Sequence, residues 1–97
     1  MIRLKIQFFG RVQHVGFRYR ARNAADYVGA TGWVRNEYDG SVTMEIQGGR
    51  EDIDFVILMI EQGRYVRIEN MLTEELPVVE DERGFRSLVG DVDCTVK

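Results

Sequence analysis

The chain has 97 residues, 44% of them hydrophobic and 30% charged, with one proline, one cysteine, one histidine and a formal net charge of −3. That length suits a single domain, 1–97, around one core; the composition excludes disorder, and the lone Cys94 and lone His14 exclude an internal disulfide and a thiolate or zinc site. The charge is lopsided: residues 1–36 carry seven Arg or Lys against one acid, Asp26, whereas the remainder carries six against fifteen, a field suited to a small anion.

Ile2, Leu4, Ile6 and Phe8 alternate with Arg3, Lys5, Gln7 and Phe9, which predicts a half-buried strand, stopped by Gly10. Ala21, Ala24, Ala25 and Val28 make one helical stripe, and with Gly29 as C-cap they predict a helix over 18–29. Gly32 to Asn36 reads as the next strand, Tyr38-Asp39-Gly40 as a hairpin turn, and Val42, Met44 and Ile46 as the returning strand, ended by Gly48-Gly49. A second helical stripe, Ile53, Val56, Ile57 and Ile60, is widened by Phe55, Leu58 and Met59, with Leu58 and Met59 read as core and rim and Gly63 as its close.

Val66, Ile68 and Leu72 predict a further strand, its apolar face interrupted by Asn70 and its end set by Pro77. Glu80-Asp81-Glu82 reads as a solvated loop, and Phe85 to Val89 can add a short edge strand before a polar tail. The order β-α-β-β-α-β predicts a ferredoxin-like α+β sandwich: an antiparallel sheet with both helices on one face and a short fifth strand at the edge. No apolar run approaches the ~20 residues that cross a bilayer. The alternating start, Met1-Ile2-Arg3-Leu4-Lys5, lacks a signal-peptide core. A soluble cytoplasmic protein without a membrane partner is expected.

The chemistry concentrates in Gly10 to Arg18. A strand, a glycine-bearing turn and a helix start bring free N–H groups together where the helix dipole favours negative charge. Arg18 lies in the first turn of the helix, an unfavourable place for a cation unless an anion sits between it and the helix end. A Walker loop would need Gly-Lys-Ser/Thr after its first glycine, and this stretch has neither the lysine nor the hydroxyl. The expectation is a phosphoryl group held without a required cation by the loop Gln13, His14, Val15, Gly16, Phe17 and Arg18, the guanidinium supplying a planar pair of donors.

Gly10-x-Val12-Gln13-x-Val15-Gly16-Phe17-Arg18, Gly32-Trp33-Val34-x-Asn36, Asp39-Gly40-x-Val42 and Gln47-Gly48 stand in an order that closely resembles the acylphosphatases. The resemblance implies hydrolysis of the carboxyl–phosphate bond of small acyl phosphates without metal or organic cofactor. Arg18 and the loop amides would bind phosphate, and Asn36 would orient the attacking water. The partner is then an acyl phosphate or inorganic phosphate, and the chain is expected to act as a monomer without nucleic acid. His14 departs from the glycine usual in the family and is read as exposed; the segment Phe85-Arg86-Ser87-Leu88 is a weak version of the family's last strand.

Other readings stand beside this one. Arg18 taken singly is a surface helix residue, and Asn36 a residue favoured before a turn. Gln13 can hydrogen-bond within the loop, Phe17 and Trp33 read as packing residues, and Cys94 as an incidental thiol. A non-catalytic anion-binding or protein-interaction module is the alternative function. RNA binding ranks last, because Val42 to Gln47 offers no aromatic for base stacking and the chain is acidic.

Overall fold

Leu4, Ile6 and Phe8 turn to one side of the first strand, β1 (Ile2–Arg11), and around them the sheet is built. The computed structural model describes residues 1–88. After β1 come α1 (Phe17–Val28), β2 (Thr31–Asn36), β3 (Val42–Gly48), α2 (Arg50–Glu61), β4 (Arg67–Leu76) and β5 (Phe85–Leu88). The strand order β4-β1-β3-β2-β5 makes β1 an interior strand, antiparallel to both neighbours; Leu4 faces Ile46, Ile6 faces Met44 and Phe8 faces Val42 on β3. Both helices lay their predicted stripes on this side. Ala21, Ala24 and Ala25 of α1 and Ile53, Val56 and Ile60 of α2 share one core with Phe8, Val34 and Met44. The small alanines let α1 lie close to the sheet. Phe17 meets Phe8 edge-to-face, ring centroids 4.9 Å apart, a packing role as expected.

The ferredoxin-like sandwich expected from the sequence is present, with four corrections. First, the sheet is mixed: β5 pairs with β2 in parallel, Gly32 beside Phe85 through Arg35 beside Leu88. Second, Gly10 does not end β1. It continues the strand at φ 123°, and an added Cβ there would strike the Arg67 carbonyl oxygen of β4.

Third, the apolar face of β4 is Ile68 and Met71, not Ile68 and Leu72. Phe9 pairs with Asn70 but Gly10 with Ile68, so Glu69 is an extra residue in a bulge, and it returns Ile68 and Met71 to one face. Leu72 is left 56% exposed. Fourth, Leu58 is 50% exposed on the outer side of α2, and that helix ends at Glu61 with Gln62 as its cap. Gly63 provides room instead, its missing Cβ lying 2.8 Å from Arg20 Nε and Val66 Cγ2.

The loop 77–84 crosses the other face at the end of the sheet where β1 begins. Gln47 exchanges two hydrogen bonds with the backbone of Val79, at 2.9 and 2.8 Å. Arg3, only 3% exposed, donates to Glu82 at 2.7 Å and to Glu45 at 3.0 Å. Glu82 is therefore a fastening of the fold and not part of a solvated run. That hydrogen bond holds the Glu82 carboxyl below the usual carboxylate range and the Arg3 guanidinium above its own. No helix among the described residues is long and apolar enough to cross a membrane. Cys94, Val89 and the polar tail lie outside the described residues.

Candidate active site

The loop lies at the opposite end of the sheet, where β1 runs out, β2 ends at Asn36 and β3 begins at Val42. Val12 is buried and anchors its start. His14 and Gly16 both take left-handed backbone conformations, φ 61° and 83°, and Gly16 is the N-cap of α1 without any side-chain cap. Those two turns wrap the chain into the helix start. None of the N–H groups from His14 to Tyr19 finds an acceptor among the described residues; the first bonded one is Arg20, to the Gly16 carbonyl at 3.0 Å. Consecutive unpaired amides at a helix N-terminus form a concavity for an anion.

A cavity of about 180 Å³ opens here, lined by Val12, His14, Gly16, Phe17, Arg18, Tyr19 and Asn36. The structure thus brings together Arg18 and Asn36, eighteen residues apart in the chain and on different elements. Among the described residues no carboxylate lines the cavity, and α1 has no acid in its first turn, so Arg18 is the one charged group these residues bring to it. Arg18 gives one guanidinium N–H to the Leu88 carbonyl at 2.7 Å, which aims the group by way of β5. His14 is exposed, as expected.

Two residues of the expected loop do not line the cavity with their side chains. Val15 packs against the core. Gln13 reaches away from the loop, not within it: its amide donates to the carbonyls of Glu37 at 2.7 Å and Ser41 at 2.9 Å. The turn it grips is itself braced, since Asp39 accepts from both the N–H and the hydroxyl of Ser41, at 2.9 and 2.5 Å, and these bonds lower the Asp39 carboxyl. The sequence reading missed Tyr19, whose only signal is its place directly after Arg18, and the Leu88 carbonyl, for which side-chain chemistry gives no signal.

Among the described residues no three His, Cys, Asp or Glu side chains gather into a group that could hold a metal ion. Trp33, half-buried, lies beneath the Arg35 guanidinium at 5.0 Å from its ring and takes no part in the cavity.

Fold and cavity together define a small α+β domain with one arginine and the start of a helix in a cavity at the end of its sheet. Comparison with known proteins narrows the class. The acylphosphatase family model matches residues 4–87. An acylphosphatase of Oceanobacillus iheyensis is 41% identical over 78 residues, covering 78% of this chain and 86% of that protein. One from Geobacillus kaustophilus is 38% identical over 91 residues, 93% of this chain and 97% of its own. The crystal structure of acylphosphatase from Bacillus subtilis superposes with a TM-score of 0.81 at 28% identity, covering 91% of this chain and 99% of that one. The chain belongs to the acylphosphatase family of hydrolases.

Proposed function

We propose that this chain hydrolyses the carboxyl–phosphate bond of small acyl phosphates, releasing carboxylate and inorganic phosphate, with Arg18 and the loop amides as the phosphate grip and Asn36 as the residue that positions water. The observation that carries this reading is the single cavity lined by Arg18, Asn36 and His14, Gly16, Phe17 and Tyr19, the last four with backbone N–H groups that find no acceptor among the described residues.

Phosphoryl transfer responds mainly to positioning and to stabilisation of charge on the equatorial oxygens. The amides and the guanidinium supply both, already oriented before substrate arrives. The Asn36 carboxamide oxygen accepts a hydrogen bond from water and turns its lone pair toward phosphorus, and a phosphate oxygen takes the proton as the bond forms. The departing group is a carboxylate, stable as the anion, so no general acid is required. No residue in the cavity needs a metal or an organic cofactor for these tasks.

The proposal extends to action as a monomer in the cytoplasm without a nucleic-acid partner. Support for the last of these is the face of β3 away from the helices, where buried Thr43 and Gln47 and half-buried Glu45 give a base nothing to stack on. Phosphate release from acetyl phosphate in the presence of EDTA tests the reaction. Release no faster than spontaneous hydrolysis rejects it, and competitive phosphate binding without turnover would select a non-catalytic anion-binding module.

A further inference from the structure

A second and larger cavity, about 490 Å³, adjoins the first on the outer side of the helices. It runs between α1 and α2 and is lined by Tyr19, Asn23 and Tyr27 on one side and Phe55 and Met59 on the other. Tyr19, Asn23 and Tyr27 are four residues apart and make one ridge of α1; Phe55 and Met59 do the same on α2. The rings of Tyr27 and Phe55 lie 5.8 Å apart, and Arg20 ties the helices together by donating to the Met59 carbonyl at 3.3 Å. Yet Tyr19 and Tyr27 are 73% and 82% exposed, aromatic surface left in water along an open trough.

The two cavities meet at Gly16 and Tyr19, which line both. Gly16 has no side chain to separate them, and the space where its Cβ would stand is open. From Gly16 to Tyr27 is eleven helical steps, roughly 16 Å at 1.5 Å per residue. The trough therefore begins at the phosphate cavity and leads away from it along α1.

Its direction matters for the reaction. Arg18 leaves α1 toward β5, and Asn36 ends β2, the strand beside β5. The ridge that begins at Tyr19 is on the other flank of the helix, toward α2. Attacking and leaving oxygens are roughly in line in phosphoryl transfer. Water held at Asn36 then places the departing acyl oxygen on the Gly16–Tyr19 side, at the mouth of the trough.

We infer that the trough between α1 and α2 is the acyl-group subsite, and that this enzyme acts preferentially on acyl phosphates carrying an extended aryl-alkyl acyl group. The inference rests on the hydrolase reading above and adds the substrate class to it. Three aromatic rings and a thioether offer a phenyl group stacked and edge contacts, and apolar pockets of this size hold ligands in just this manner.

Acetyl phosphate and 3-phenylpropanoyl phosphate test it, because both release alkyl carboxylates of similar basicity and differ in the group the trough would hold. The wild-type chain is expected to give kcat/KM roughly tenfold or more higher for the phenylpropanoyl compound. Tyr27→Ser, at an exposed position, and Met59→Glu, which puts a charge in the trough, are expected to bring that ratio close to one. Acetyl phosphate turnover should stay within about twofold in both variants, which also reports an intact fold.

Equal kcat/KM for the two substrates in the wild-type chain overturns the subsite while leaving the hydrolase reading in place. A preference retained in both variants, or equal losses on both substrates, overturns it too. Absence of turnover on both substrates overturns the hydrolase reading itself, and the subsite with it.

Discussion

The side-chain amide of Gln13 stands 2.7 Å from the Glu37 carbonyl oxygen, so a residue of the phosphate loop holds the residue that follows Asn36. A second hydrogen of the same amide reaches the Ser41 carbonyl, which also accepts the Glu37 N–H at 2.8 Å. One side chain thus ties the loop of Arg18 to the turn that follows Asn36. Gln13→Ala should lower stability by about 1–2 kcal/mol, since two hydrogen bonds are lost while each carbonyl keeps its backbone donor, the Gly40 N–H on Glu37 and the Glu37 N–H on Ser41. It should also reduce kcat roughly tenfold through loss of alignment. Gln13→Glu should be worse on both counts, because a carboxylate presents oxygen to two carbonyl oxygens. Urea titration and steady-state kinetics on the three proteins check this; a Gln13→Glu protein as stable as the parent would refute it.

Arg18 and Asn36 should separate in their kinetic signatures. Arg18→Ala is expected to abolish inhibition by inorganic phosphate and to lower kcat/KM by about 10²–10³-fold, and Arg18→Lys to recover little, because a point charge does not reproduce the planar fork. Asn36→Ala should lower kcat by roughly 10²-fold with KM within about threefold, the mark of a group acting on the attacking water and not on the bound phosphate. Competition by phosphate, followed by 31P NMR, distinguishes the two. Unchanged activity in both variants would remove them from the mechanism.

His14 holds a left-handed conformation, φ 61°, that few side chains accept readily. Relief of about 1–2 kcal/mol in His14→Gly is set against about 0.5–1 kcal/mol of added chain entropy, so a gain of about 0–1.5 kcal/mol is expected. Turnover should change less than about threefold, because the loop works through its main chain. His14→Val, β-branched at the same φ, should lose about 1–2 kcal/mol. Thermal melts rank the three proteins, and a His14→Val variant matching His14→Gly would show that backbone conformation is not what the position selects.

The Arg3–Glu82 pair predicts part of the acid limb of stability. The hydrogen bond from Arg3 lowers the Glu82 carboxyl in the folded protein below its ordinary value near 4.5. Between those two values the unfolded chain binds more protons than the folded one, so stability rises with pH there. The stabilisation is complete above about pH 4.5 and is lost as pH falls through the lower, folded value. Glu82→Gln should cost about 2 kcal/mol at pH 7, and the difference from the parent should shrink below pH 4.5. Urea titrations from pH 3 to 7 measure it; a difference that stays constant across that range would sink the assignment.

Much of this was legible in the residues, for reasons particular to each element. Leu4, Ile6 and Phe8 lie on the core face of an interior strand, where alternation picks them out although Arg3 on the other face is buried too, and the alanine stripe of α1 reads correctly because Gly16 and Gly29 bound it. Asn36 was found with Arg18 because several short motifs occur in order, not because either position is distinctive alone. What escaped depended on partners far along the chain. The parallel direction of β5 follows from the path of residues 77–84 over the sheet, fastened by Arg3 and Gln47. Met71 replaced Leu72 on the inner face because a bulge opposite Gly10 breaks the period of two, and no local pattern announces a bulge set by the neighbouring strand. Leu58 is apolar yet outward, a residue that a stripe widened by its neighbours absorbs too easily.

The hydrogen bond from Arg18 to Leu88 joins the guanidinium proposed to grip phosphate to β5 at the rim of the sheet. Rim strands open before the centre of a domain does. On warming, catalysis should therefore fade while the helical circular dichroism is still intact, and cooling should restore it without any refolding lag. Heat sensitivity of the reaction then measures fraying of β5, not melting of the molecule.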